Sequence, residues 1–357
     1  MKTKTCYMPF RSNNLYSDNI MHFIRNSGYE VLSIRQCIKN PLNFIGCKIF
    51  NLNWFENFNN HSSAYFQYVK KVLFIYFLKL FRKKLVYTLH NKQPHNMDNN
   101  TYAIKIMRLL MKKADTIVAM CMDTRLVVEE ICPDCVNKIC YVPHPNYINN
   151  YTSDAENSRE QREKMGFEQG DCVFMILGFI SPYKNVELLI DTICATNNPK
   201  IKLLIAGKVS DNEYKSKLEN MIVGKNNIVA DFRYIPDSEV GLYYSVADVI
   251  VLPYQKKSTL NSGAAYLSFS LKKTVICPCI GTINDLKQKD FVYSYNYDSE
   301  EQHKECLRET VDRVCKDFSD NADAIREKGE AAYEYVSMYH SDLLVQEKYS
   351  EIYSELT

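Results

Sequence analysis

Apolar runs a few residues long alternate along the chain with longer stretches whose apolar positions recur at helical spacing. Thr3–Met8, Glu30–Ser33, Leu85–Leu89, Thr116–Met120 and Lys138–Val142 read as strands, and Asn19–Asn26, Tyr65–Phe81, Tyr102–Lys113 and Asp123–Ile131 as helices. Strands that alternate with helices predict a parallel sheet covered by helices, because a parallel crossover needs a connection of helix length. The polar stretch Asn149–Gln161 interrupts the pattern and marks a boundary, with a helix expected from Ser158 to Met165. Beyond it the alternation resumes more cleanly, with strands Cys172–Leu177, Lys202–Ala206, Val249–Leu252 and Thr274–Cys277 and helices near Asn185–Ala195, Asp211–Val223 and Asn261–Leu271. From Asp298 on, the pattern is helical, through Glu300–Phe318, Asn321–Met338 and Asp342–Ser354. The expected fold class is α/β: two doubly wound domains, 1–155 and 156–335, with C-terminal helices whose last part, 336–357, crosses back to the first domain. Ligands bind at the carboxyl edges of such sheets, so a site is expected where two such edges face one another across a cleft.

A length of 357 residues suits two domains, and 46% hydrophobic with 24% charged residues is ordinary globular composition. The net charge of +2 conceals a split: residues 1–150 hold 20 Lys/Arg against 9 Asp/Glu, while 151–357 hold 24 against 33. A basic first half points to an anionic partner, whether a membrane surface or a phosphorylated substrate. Nucleic acid is not expected, because no helix-turn-helix, zinc-finger or ribonucleoprotein motif accompanies the charge. The 13 cysteines, an odd number with no secretory signal, read as reduced thiols of a cytoplasmic protein. Cys132-Pro-Asp-Cys135, between Cys121 and Cys140, has zinc-like spacing but lacks four clear ligands, so no metal is expected. The apolar run Val72–Leu78 spans seven residues, where a membrane span needs about 20. Membrane association is therefore expected to be peripheral.

Two segments carry candidate chemistry. In "GFISPYKNVELLI", 178–190, a strand ends at Gly178 and a helix begins near Asn185, with Lys184 at the joint. First-turn amides lack intrahelical partners, so such a start favours an anion, and a lysine beside it adds a full charge; an ordinary surface lysine is the plain alternative. In "VADVIVLPYQKKSTLNSGAAYLSFSLKKTVICPCIG", 246–281, a polar loop brings Ser258, Thr259, Asn261, Ser262 and Gly263 to a second helix start. Ser262 can cap that helix, and Gly263 lets the backbone approach an oxygen-rich ligand closely.

Taken in order with "KLLIAGK" at 202–208 and "YIPDSEVGLYYSVADVIVLPY" at 234–254, these segments resemble the nucleotide-sugar glycosyltransferases of the GT-B fold. The likeness is to family 4 and related bacterial polysaccharide-synthesis transferases, and it is strongest over residues 172–285. It implies two Rossmann-like domains facing across a cleft. It also implies transfer of a sugar, typically a hexose, from a nucleoside-diphosphate sugar to a lipid-linked glycan acceptor in capsular, exopolysaccharide or O-antigen synthesis. Donor-binding positions would be Gly178, Ser181, Tyr183, Lys184, Gly207, Tyr234, Ile235, Pro236, Tyr254, Asn261, Ser262 and Gly263, with Lys184 neutralising the leaving diphosphate and no metal required. Looser echoes in "NLNWFENF", "YTLHNKQPHN" and "VPHPNY" put Asn14, His90, His95 and His144 on the acceptor or sugar side, with His90 the catalytic candidate.

Two departures stand out. Phe179, Ile180 and Ser181 occupy the stretch where many such transferases carry an arginine, and no Asp or Glu occurs between Asp248 and Asp285, where the usual glutamate pair would lie. The resemblance favours retention of configuration, which needs no protein base; inversion would need one, with His90 or Asp18 available. A non-catalytic sugar-binding scaffold and a nucleotide-sugar epimerase of the same fold remain alternatives. Residues 65–87 interleave aromatic and aliphatic side chains with Lys70, Lys71, Lys79, Arg82, Lys83 and Lys84, so this helix is read either as a contact with anionic lipid on the inner membrane face or as a sheet cover with solvated lysines.

Overall fold

The computed structural model describes residues 2–10, 14–58, 63–93, 100–151, 158–196 and 198–357. The chain forms two compact units: Met1–Pro145 with Lys257–Asn261 and Tyr339–Thr357, and Asn146–Lys256 with Ser262–Met338.

The first unit has strands β1 (Lys4–Met8), β2 (Glu30–Leu32), β3 (Cys47–Asn53), β4 (Lys84–Thr88), β5 (Thr116–Ala119) and β6 (Ile139–Tyr141). Its helices are α1 (Leu15–Asn26), α2 (Ile34–Lys39), α3 (Pro41–Gly46), α4 (Ala64–Leu80), α5 (Asn100–Lys113) and α6 (Thr124–Ile131). The strands pair in parallel in the order β2-β1-β3-β4-β5-β6. Successive strand side chains point to opposite faces, and the core divides accordingly. Cys6, Phe50, Leu85, Tyr87 and Ile117 pack with residues of α4, α5 and α6 on one face. Tyr7, Ile49, Val86 and Val118 pack on the other with α1 and the C-terminal helix.

The second unit has β7 (Cys172–Leu177), β8 (Ile201–Ala206), β9 (Ile228–Asp231), β10 (Val249–Val251), β11 (Thr274–Pro278) and β12 (Tyr293–Tyr295). Its helices are α7 (Ser158–Lys164), α8 (Val186–Ala195), α9 (Asn212–Ile222), α10 (Asp237–Val246), α11 (Gly263–Ser270), α12 (Gly281–Asn284), α13 (Glu300–Asp320) and α14 (Ala322–Tyr339). The strands are again parallel, in the order β12-β11-β10-β7-β8-β9. The near-continuous apolar runs of β7 and β8 fit strands covered on both faces.

The last helix, α15 (Asp342–Leu356), belongs to the first unit. Its Tyr353 hydroxyl accepts from Thr5 Oγ1 at 3.4 Å and Asn51 Nδ2 at 3.3 Å, and the Tyr349 hydroxyl meets that of Tyr16 at 3.4 Å. Aromatic bodies with polar tips thus cover the sheet while satisfying its buried polar groups. Cys132 and Cys135, expected as separate thiols, are joined in a disulfide within a short 3-10 turn. Among the described residues no helix is long and apolar enough to cross a membrane.

Candidate active site

In an open parallel sheet, neighbouring strands whose connections leave in opposite directions open a crevice at their carboxyl ends. In the second unit these strands are β7 and β10, so the loops after Leu177 and Val251 part there. The loop after β7 closes in a 3-10 turn, Pro182–Lys184, and Asn185 follows in the left-handed region at φ 50°. The two loops are tied together: Gln255 N donates to Tyr183 O at 3.1 Å, Asn185 Nδ2 donates to Pro253 O at 2.8 Å, and the Tyr183 and Tyr254 rings stack at 6.0 Å.

Lys184 sits within this braid, only 6% exposed. Burial pushes its ammonium down to about 8, and no neighbouring charge offsets the shift. Its Nζ lies against Gly178, where an added Cβ would come within 3.3 Å of it. No acidic or hydrogen-bonding partner of this Nζ is found among the described residues. A buried cation without a counter-ion is costly, and it marks a place where an anion is accepted. Gly207, after β8, is required for a separate reason: at φ 138° a Cβ there would lie 1.9 Å from Gly178 O. The Ser181 hydroxyl is buried without a partner in the same turn.

The second helix start adds donors. Ser262 caps α11 by accepting from Ala265 N at 3.1 Å, while its own amide donates to Thr282 Oγ1 at 2.9 Å and its hydroxyl to Tyr254 at 3.4 Å. The amides of Gly263 and Ala264 are left without intrahelical acceptors, at the positive end of the helix. Tyr254 is held from below by Tyr297, whose hydroxyl donates to Tyr254 O at 2.9 Å. After β9, Tyr234 is 53% exposed and Ile235 buried, and Pro236 is the N-cap of α10. Arg233 beside them is fixed by Asp231 and Glu239.

In the first unit the corresponding point lies between β1 and β3. Asn53, at the end of β3, donates through Nδ2 to Met8 O and Asn51 Oδ1, both at 3.1 Å. Its Oδ1 therefore faces His90 Nε2 at 3.0 Å, and the ring must donate from Nε2 and carry its lone pair on Nδ1. The imidazole stacks on Trp54 with centroids 3.7 Å apart and meets the edge of Tyr16 at 5.2 Å. Burial first, and then His144, holds His90 well below its usual value. His144, held down to about 3 by burial, donates from Nδ1 to Pro145 O at 2.8 Å and tilts against Tyr16 at 5.1 Å. Trp54 adopts φ 49°, a conformation a bulky residue occupies only at a cost of about 1–3 kcal/mol, and the turn it makes carries the indole under His90.

The structure gathers Gly178, Ser181, Tyr183, Lys184, Gly207, Tyr254, Ser262 and Gly263 on the carboxyl edge of the second sheet. Asn261 stands apart from them: it belongs to the first unit, where its Nδ2 donates to His90 O at 3.1 Å and Leu89 O at 3.4 Å. Asn14 caps α1, accepting from Tyr16 N at 3.0 Å, and Asp18 lies exposed in the first turn of the same helix. His95 lies outside the described residues. Asn53, Trp54, Tyr16, Thr282 and Tyr297 were not identified from sequence. The one signal for the first two was the polar break "NLNW" at the end of an apolar run.

Over its whole length the chain superposes on the crystal structure of the Anabaena protein HepE in complex with UDP, with a TM-score of 0.73 at 12% identity, covering 99% of this chain and 100% of that one. The chain has the GT-B fold. A second GT-B likeness is to sucrose-phosphate synthase from Thermosynechococcus elongatus, with a TM-score of 0.72 at 10% identity over 100% and 99% of the two chains. Residues 157–259 match the family described as Glycosyl transferases group 1. A GDP-mannose:glycolipid 4-beta-D-mannosyltransferase from Xanthomonas campestris pv. campestris is 31% identical over 114 residues. That alignment spans 31% of this chain and 32% of the relative.

Proposed function

We propose that this GT-B protein is a glycosyltransferase that moves a sugar, of the hexose class, from a nucleoside-diphosphate sugar to a lipid-linked glycan in polysaccharide synthesis. The observation that carries the reading is Lys184, a buried ammonium with no anionic partner among the described residues, at the point of the sheet where ligands bind. A diphosphate there supplies the missing charge, and its stabilisation grows as the sugar–phosphate bond breaks and charge gathers on the leaving group. The amides of Gly263 and Ala264, in the turn that Ser262 caps, and the hydroxyl of Ser181 complete the set of donors. Gly207, Tyr234, Ile235 and Pro236 hold the nucleoside, and Tyr183 and Tyr254 wall the pocket. The scheme needs no metal ion.

His90, with Asn14, His95 and His144, belongs to the sugar or acceptor side. Its depressed basicity makes it a poor general base near neutrality, since a base works best with a pKa near the operating pH. It suits instead accepting a hydrogen bond from a sugar hydroxyl at Nδ1. That favours same-face displacement with retention, in which the leaving phosphate takes the acceptor's proton. The protein acts in the cytoplasm, peripherally at the inner membrane face, where its basic half meets anionic lipid. The names of two similar proteins support a nucleotide donor and a glycolipid acceptor: one is crystallised with UDP, and the other is a GDP-mannose:glycolipid transferase.

The test is release of nucleoside diphosphate from a panel of nucleotide sugars. Slow hydrolysis of one donor, lost in Lys184→Ala, supports the reading. Binding of a nucleotide sugar without turnover, with or without glycolipid, favours a sugar-binding scaffold, a reading that draws on the absence of any carboxylate between Asp248 and Asp285.

A further inference from the structure

The face of the first unit built by α2, α3 and α4 is unusual in what it exposes. Along α4, Phe66, Lys70, Leu73, Phe77 and Leu80 recur at spacings of four and three, which places them on one side of the helix. Leu73 is 63% exposed and Leu80 78%. Across from them α2 and α3 contribute Ile34, Ile38 and Pro41, and on these two helices Ile38, Leu42 and Ile45 are each at least 67% exposed. Between the two rows runs an apolar groove of about 630 Å³, floored by Phe44, Phe50 and Phe74. An apolar surface of this extent on a folded protein marks a place where something else docks.

The charge around the groove decides what docks. From Val31 to Met97 the chain carries one acidic residue, Glu56, which is buried. Not every basic residue in this stretch is available. Lys83 donates to the carbonyls of Phe44, Ile45 and Cys47 at 2.7 to 3.1 Å, Lys71 donates to those of Phe55 and Asn57, and Lys79 pairs with Asp115 at 2.7 Å. Arg35, Lys39, Lys70 and Arg82 remain exposed, with no acidic partner among the described residues. A second copy of this chain would set these cations against their own kind across a two-fold axis. An anionic bilayer offers both complements, phosphate or carboxylate headgroups for the rim and hydrocarbon for the groove.

We infer that the α2–α3–α4 face docks on anionic lipid, with the groove between Ile38 and Leu73 taking up hydrocarbon and Arg35, Lys39, Lys70 and Arg82 meeting headgroups. This deepens the lipid-linked acceptor reading by assigning the membrane contact to three short elements. The two readings fail separately, because vesicle binding needs no donor and donor hydrolysis needs no vesicle.

The experiment is flotation of the full-length protein with phosphatidylcholine vesicles, pure or with about one third phosphatidylglycerol. Binding to the anionic vesicles is expected, weakening with salt. Leu73→Glu/Phe77→Glu should weaken it at least tenfold. Arg82→Ala and Lys39→Ala should each lower it by about fivefold, the effect of one cation at such a surface. Hydrolysis of the free donor, unchanged in these variants, reports that they are folded. Equal binding to both vesicles, no binding at all, or binding indifferent to Leu73→Glu/Phe77→Glu overturns the inference. So does light scattering that shows a dimer separated by that double substitution.

Discussion

Each unit is a six-stranded parallel sheet in which the strand order reverses once, but the two build their carboxyl edges by opposite means. At the β1/β3 point of the first unit, uncharged side chains fill the space: Asn53, Trp54 and Tyr16 enclose a neutral histidine in one tautomer. At the β7/β10 point of the second, backbone is brought close by Gly178 and Gly207, and the gap is bordered by a lysine that no described residue neutralises. One edge is electrically complete and shaped for hydroxyls; the other is short of one negative charge. On the proposed function, the difference separates a surface that orients a sugar from one that stabilises a leaving group.

The largest expected effect follows from the glycine approach. Gly207→Ala sets a methyl group against Gly178 O and forces an unfavourable φ, and should cost about 4 kcal/mol or more in a denaturant titration. The histidine edge, free of such backbone contact, should tolerate Trp54→Phe with a far smaller loss. A comparable loss in both would remove the contrast.

Next is Lys184→Met in the ligand-free protein. Lysine normally titrates near 10.4, and burial has brought Lys184 down to about 8. Below pH 8 both folded and unfolded chains are protonated there, and the folded chain carries the full burial cost. Between about 8 and 10.5 the unfolded chain binds more protons, so stability rises with pH. The substitution should therefore stabilise the protein by about 3 kcal/mol at pH 7, with the gain vanishing above pH 10.5 or so. Thermal unfolding across that range checks it, and a destabilised variant at pH 7 would mean that Lys184 has a partner in the fold.

At the other edge the sign is the same and the window differs. His90 and His144 resist protonation when folded, so stability should fall as pH drops below about 6.5, by up to 1.4 kcal/mol per pH unit for each. His90→Gln should flatten that slope, and the activity of the unmodified protein should show no inflection from His90 near pH 6.5. The smallest effect is Ser262→Ala, the loss of a helix cap, at about 1 kcal/mol. Ser262→Asn should recover most of it.

Much of this architecture was legible in the sequence, because strands buried on both faces of a parallel sheet read as plain apolar runs. Cys172–Leu177 is the clearest case. β3 escaped for the complementary reason: Asn51 and Asn53 are polar yet buried, since they bond to Tyr353 and to the end of β1, partners distant in sequence. β9 and β12 escaped because polar residues, Asp231 and Ser294, fall within their short runs. Lys184 was legible as a position, a cation where strand becomes helix. That it lacks a partner is a property of the packed fold, as is the tautomer of His90. Asn261 shows the limit from the other side, because its place in the polar loop gave no sign that its amide binds the backbone of His90.

On the proposed function, Lys184 awaits a diphosphate. Calorimetric titration of the protein and of Lys184→Met with a nucleoside diphosphate and with the matching nucleoside tests it most directly. The substitution should weaken the diphosphate at least a hundredfold, roughly the 2.7 kcal/mol and upward of one buried charged donor, while the nucleoside is held about equally by both proteins. Equal affinity of the two proteins for the diphosphate would contradict it.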